Sequence, residues 1–148
     1  MDGRQSETAL QVQRGVCRLL YHMGFSCLSE FTLRTGRRVD LAGLGPKGQI
    51  WAIEIKSSLA DFRTDTKWPD YLDYCDRFYF AVPQDFPLNV LPEEQGVIVA
   101  DLFGGEIVRD APEDPMAAAR RKAVTLLFAR TAAHRMQRAI DPDLPRLD

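Results

Sequence analysis

The apolar positions of the chain change their period along its length, and each period predicts an element. Between Ser6 and Met23 they fall three and four apart (Val12, Val16, Leu19, Leu20, Met23), with Gln11, Arg14 and Arg18 on the other side. That is the spacing of an amphipathic helix. Ser6 is its expected N-cap and Gly24 its left-handed stop. From Phe25 to Arg34 the period drops to two, setting Cys27, Ser29, Phe31 and Leu33 against Leu28, Glu30 and Thr32, as in a strand. A second strand begins at Arg37, where Val39 and Leu41 alternate with Asp40 and Ala42. In a third, Trp51, Ile53 and Ile55 alternate with Ala52, Glu54 and Lys56.

Between the second and third strands, Gly43 to Gly48 has turn composition, which predicts a hairpin. A register that sets Asp40 opposite Glu54 requires a turn with an odd number of residues centred on Lys47. A three- or five-residue loop with a left-handed glycine meets that condition. Cross-strand partners lie about 5 Å apart, so these two carboxylates could share one cation. The spacing Gly43-x-Gly45-x-x-Gly48 imitates a dinucleotide fingerprint. It lies inside a hairpin and not between a strand and a helix, so it reads as turn chemistry.

After Lys56, Ser58 and Asp61 have the spacing of a capping box, and a helix carrying Phe62 is expected there. Trp68-Pro69 predicts a break, followed by a second helical piece from Pro69 to Cys75. Asp76 to Val82 is a nearly continuous apolar strand, as expected of one buried on both faces. A strand, a helix and a buried strand make a right-handed crossover, so this strand should run parallel to the one holding Glu54. Residues 83–95 hold three prolines and read as loop. Strands are expected at Gly96–Asp101 and, at an edge, Glu106–Arg109. A long helix is expected from Pro115 to Ile140, with a disordered tail over residues 141–148.

Length predicts one domain, over residues 1–140. The net charge of −2 argues against a generic nucleic-acid binder, but the charge is uneven. Residues 1–80 carry +1, residues 81–115 carry −7 and residues 116–148 carry +4. The acidic segment could serve as a docking surface, and local basic surface remains elsewhere. By default Arg120, Arg121, Lys122, Arg130, Arg135 and Arg138 form a solvated helix face. Cys17, Cys27 and Cys75 have no Cys-x-x-Cys spacing and read as reduced packing thiols. With neither a signal peptide nor an apolar run of transmembrane length, a cytoplasmic protein is expected. His22 and His134 are isolated and read as surface or capping side chains.

Asp40, Glu54 and Lys56 admit two readings. They could be the wet face of a ribbon, where charges are ordinary. On a central strand, however, a carboxylate pair beside a lysine is costly unless it holds something. The order of elements, with Asp40 and Glu54-Ile55-Lys56 where they fall, resembles the PD-(D/E)XK (restriction-endonuclease-like) nuclease superfamily. That core is a helix, an antiparallel three-stranded meander, a crossover helix and a parallel strand. More closely, Arg37-Arg38-Val39-Asp40, Glu54-Ile55-Lys56-Ser57-Ser58, Asp61-Phe62-Arg63, Lys67-Trp68-Pro69-Asp70-Tyr71 and Cys75-Asp76-Arg77-Phe78-Tyr79-Phe80-Ala81-Val82 look like the MmcB family of bacterial DNA-repair proteins. Val39 replaces the proline that names the superfamily motif.

The resemblance implies a Mg²⁺- or Mn²⁺-dependent deoxyribonuclease, or the remains of one, with DNA as its partner and other DNA-repair proteins as further candidates. Asp40 matches the first motif acid, and Glu54 with Lys56 matches the Glu-x-Lys. Asp40, Glu54 and the Ile55 carbonyl would supply oxygens to the cation, and Lys56 would act on the water or the phosphate. A further acid would be Glu30 on the preceding strand or Glu7 in the first helix, with Glu30 the better placed. Arg37, Arg38, Arg63 and Lys67 could form a rim that contacts the phosphate backbone. Asp61, Asp65 and Lys67 are candidates to support the site. Trp68, Tyr71 and Tyr74 could stack on bases, although the apolar spacing of Trp68 and Tyr71 favours core. The rival reading is a catalytically weak or silent module that binds DNA or docks repair proteins.

Overall fold

The computed structural model describes residues 6–146. Helix α1 spans Glu7–His22. The Ser6 hydroxyl accepts from the Ala9 N–H at 3.0 Å, and Gly24 turns the chain with φ 87°. The strands are β1 (Ser26–Thr32), β2 (Arg38–Leu44), β3 (Ile50–Ile55), β4 (Arg77–Val82), β5 (Gly96–Ala100) and β6 (Gly105–Arg109). Helix α2 is Leu59–Thr64, and α3 is Ala118–Ile140. The second piece of the crossover, Trp68–Tyr74, is a 3₁₀ helix with Pro69 in its first turn. The six strands form one sheet in chain order. β1, β2 and β3 are antiparallel, β4 runs parallel to β3, β5 parallel to β4, and β6 antiparallel to β5. Helix, meander, crossover helix and parallel strand therefore occur in the expected order, with an added strand pair and a long C-terminal helix.

The β2–β3 register is the one the odd turn demands. Leu41 pairs with Ile53 and Leu44 with Ile50, around a five-residue loop centred on Lys47. The Gly45 N–H donates to the Gln49 carbonyl at 2.8 Å, and Gly48 supplies the left-handed residue at φ 84°. Each sheet face has its own core. Under α1, Val12, Val16 and Leu20 pack on Leu41, Trp51, Ile53, Tyr79 and Ile98. On the other face, Ala42, Ala52, Phe78, Phe80 and Val82 lie beneath Tyr71, Cys75, Val124 and Phe128. Trp68 meets Phe80 at 5.2 Å and Phe62 meets it at 5.6 Å, edge-on, so the short crossover pieces are held by aromatic packing.

Three expectations change. The left-handed Glu30 (φ 49°) interrupts the alternation of β1, so Leu28 and Phe31 pack on the same core, and Phe31 meets Phe128 of α3 at 5.7 Å. The α3 arginines are not simply a solvated face. Arg121 pairs with the buried Asp76, Arg120 lies 4.8 Å over the Tyr74 ring, and Arg135 donates to the Ser29 and Glu30 carbonyls at 2.6 and 2.8 Å, covering the β1 edge. Residues 141–146 fold back in a turn, with the Leu144 N–H on the Asp141 carbonyl and its own carbonyl accepting from Arg138. Leu147 and Asp148 lie outside the described residues.

Candidate active site

β2 and β3 leave the ladder where Asp40 and Glu54 meet. Beyond the Leu41–Ile53 pair, side chains take over the backbone bonds. The Asp40 N–H donates to Glu54 Oε1 at 2.9 Å, and the Ile55 N–H donates to Asp40 Oδ2 at 2.8 Å. Each carboxylate is thus fixed by the other strand. Asp40 Oδ1 and Glu54 Oε2 receive no hydrogen bond among the described residues. Lys56, two residues on, turns to the same face, and its ammonium meets Asp65 Oδ2 at 2.5 Å. Glu54 and Lys56 are each only 5% exposed, so these charges are not the wet face of a ribbon.

The crossover supplies the far wall. Ser58 caps α2 by accepting the Asp61 N–H at 3.1 Å, while Asp61 accepts the Ser57 N–H at 3.2 Å. Sequence spacing sets Asp61 and Asp65 on one helix face, but α2 ends at Thr64. Asp65 follows it in extended conformation (φ −86°, ψ 112°). That exit lets one Asp65 oxygen accept the Lys67 N–H at 2.7 Å while the other meets Lys56.

The electrostatics follow from four carboxylates around one ammonium. Burial first, and then the Asp40 charge, push Glu54 up to about 9. Burial also raises Asp40, with the Asp61 and Asp65 charges adding to it against the pull of Lys56 and the Ile55 N–H. For Asp65 burial acts upward, but the Lys56 ammonium and the Lys67 N–H outweigh it and hold this carboxyl below its ordinary range. Tyr71 is raised by burial and then by the charges of Glu54, Asp40 and Asp65, which places its hydroxyl in the field of the site. That hydroxyl donates to the Arg38 carbonyl at 2.9 Å and steadies β2 just before Asp40.

Not every expected residue arrives. Glu30 is opposite Asp40 in sequence register, but its left-handed backbone leaves the side chain exposed, without a bond to Asp40 or Glu54. Glu7 is exposed at the start of α1, which covers the face of β3 that carries Ile53, not Glu54. Arg37 is engaged by Asp70 at 3.0 Å, whereas Arg38, Arg63 and Lys67 are exposed. Trp68 and Tyr71 are packing residues, as their spacing indicated.

A scan against family models matches residues 1–143 to a family described as DNA repair protein MmcB-like. The chain belongs to the MmcB-like DNA repair protein family. Among solved structures, it is similar to a protein of unknown function from Silicibacter pomeroyi, with 47% identity, 97% of this chain and 99% of that one covered, and a TM-score of 0.89. It also matches a repair endonuclease from Pyrococcus abyssi at 22% identity over 70% of this chain and 49% of that one, with a TM-score of 0.44. No curated protein matches. No helix among the described residues of this MmcB-like chain is long and apolar enough to cross a membrane.

The donor set suits a hard divalent cation. Two carboxylate oxygens are left without hydrogen bonds, in a site where acids outnumber bases, and carboxylates are the ligands Mg²⁺ and Mn²⁺ take. Among the described residues no three His, Cys, Asp or Glu side chains form a metal-binding group. Asp40 and Glu54 would thus be the side-chain ligands, and backbone oxygen, water and phosphate would fill the rest.

Proposed function

We propose that the chain is a Mg²⁺- or Mn²⁺-dependent DNA phosphodiesterase that cuts DNA in repair. The observation that carries this reading is the mutually anchored pair of half-buried Asp40 and buried Glu54 beside the buried Lys56. Two like charges in such a place are destabilising by themselves and are relieved by a cation. Asp40 and Glu54, with the Ile55 carbonyl, would hold the metal. When bound, the metal would supply charge neutralisation at the phosphate and a more acidic water.

The chain's own residues supply the remainder. Lys56 offers a donor on the same face as Glu54, oriented by Asp65, to hold the attacking water or the phosphate oxygen. Asp61 and Asp65 shape the field around the pair, a role for which Glu30 is less well placed. Tyr71 and the Asp40–Glu54 bonds keep β2 and β3 rigid. Arg38, Arg63 and Lys67 would contact phosphates, giving affinity without sequence readout.

The test is divalent-cation-dependent cleavage of single-stranded, duplex, flapped and branched DNAs by wild type, Glu54→Gln and Lys56→Ala. Cutting by the wild type and loss of at least about a hundredfold in both variants is expected. Unchanged cutting by purified, folded Lys56→Ala protein would refute the assignment. DNA binding with no cutting on any substrate, and no cation bound by the pair, would establish a docking module instead.

A further inference from the structure

On the sheet face opposite Glu54, α1 and β1 bring two cysteines together. Cys17 is in the second half of α1 and Cys27 is the second residue of β1. The left-handed turn at Gly24 returns the chain beneath the helix. Both cysteines are half-buried against the core under α1. They line one open cavity of about 420 Å³ with Tyr21, Phe25 and Ser26. The two thiols are close enough for each to shift the other's titration. Gly43 is directly opposite Cys27 on β2, and a Cβ there would meet Phe25 at 3.2 Å, so a side chain at this position would crowd the ring that lines the cavity. Neither cysteine touches the Asp40–Glu54 site.

We propose that Cys17 and Cys27 are a redox modification site, a dithiol that hydroperoxides entering the cavity oxidise to an intramolecular disulfide joining α1 to β1. The roles are unequal. The neighbouring Cys27 thiol lowers Cys17 despite burial, while Cys27 itself is raised, first by Cys17 and then by burial. Cys17 is therefore the attacking thiolate. Its sulfur attacks one peroxide oxygen; the S–O bond forms, the O–O bond breaks, and the released hydroxide takes a proton and leaves as water. Cys17 is then a sulfenic acid. The Cys27 sulfur attacks the Cys17 sulfur; the S–S bond forms, the S–O bond breaks, and the hydroxide leaves as water with the Cys27 proton. Two thiols lose two hydrogens, and hydrogen peroxide becomes two waters.

Cys75 is the internal control. It is 3% exposed, its thiol faces the Tyr71 and Leu72 carbonyls, and burial pushes it up to about 12. The experiment treats the full chain with hydrogen peroxide, alkylates the remaining thiols and reads intact mass and non-reducing peptide maps. The expected result is loss of two hydrogens, reversed by dithiothreitol, with Cys17 cross-linked to Cys27 and Cys75 still a thiol. Cys27→Ser should stop at a Cys17 sulfenic acid that dimedone traps, and Cys17→Ser should leave Cys27 reduced. Both thiols free after excess peroxide, or a disulfide that uses Cys75 or a second chain, would overturn the proposal.

Discussion

Glu54→Gln should make the metal-free protein more stable at neutral pH while removing its function. Glu54 is 5% exposed and is pushed from 4.5 up to about 9 by burial and by Asp40. A carboxyl raised on folding contributes its stability in full below its unfolded value, and that contribution is lost as pH rises toward the folded value. At 1.36 kcal/mol per unit, the rise from pH 5 to pH 8 should cost the wild type about 4 kcal/mol, and Asp40, also raised, acts in the same direction. Asp65 and Asp76 are held low, so their contributions are already complete in this window. The amide of the variant keeps an acceptor for the Asp40 N–H but has no charge to desolvate. Urea unfolding in EDTA, followed by tryptophan fluorescence at pH 5, 6.5 and 8, measures the difference. The variant keeps only the Asp40 contribution, so it should lose markedly less over the same range and exceed the wild type at pH 8. Millimolar Mg²⁺ should restore the wild type at pH 8 and leave the variant unchanged. Equal slopes for the two proteins, or a variant weaker at pH 8, would refute the reasoning that a repelling pair is held in place for a cation.

Two further outcomes test the frame around the site. Asp76 accepts the Ile50 N–H at 2.8 Å and the Met116 N–H at 3.0 Å and pairs with Arg121, so Asp76→Ala strands all three and should cost about 3–5 kcal/mol, read from the urea midpoint at unchanged slope. Burial opposes ionisation of Asp76, but Arg121 and the two N–H groups hold it low; its contribution is therefore present above the unfolded value of 3.8 and is lost progressively as acid takes pH down through the lower folded value. Gly15→Ala should destabilise despite better helix propensity, because the new Cβ would lie 2.1 Å from the Asp101 carbonyl oxygen and 2.5 Å from that of Gly104. Backbone cannot swing aside as a side chain can, so a net loss of about 2 kcal/mol is expected in thermal melts.

The local features of this protein were decided by its sequence. An odd, glycine-bearing turn sets the β2–β3 register and hence the meeting of Asp40 with Glu54. Ser58 starts α2, Pro69 begins a separate turn, and the apolar run at Phe78–Val82 requires a parallel, doubly covered strand. Each of these depends on residues close in the chain, whose sterics and hydrogen bonds act before any packing. Only the tertiary structure decided the rest. The end of α2 at Thr64 delivers Asp65 to Lys56 across nine positions, a distance no helical period encodes. Asp76 looked like the first residue of a strand, yet it is the carboxylate that ties β3, β4 and α3, because Arg121 arrives from 45 positions away. Glu30 was drawn toward Asp40 by strand alternation and turned away by a single left-handed residue. The shared ground of Cys17 and Cys27 likewise follows from how α1 is laid over the sheet. Side-chain pairing through space depends on where elements pack, and period alone carries no record of that.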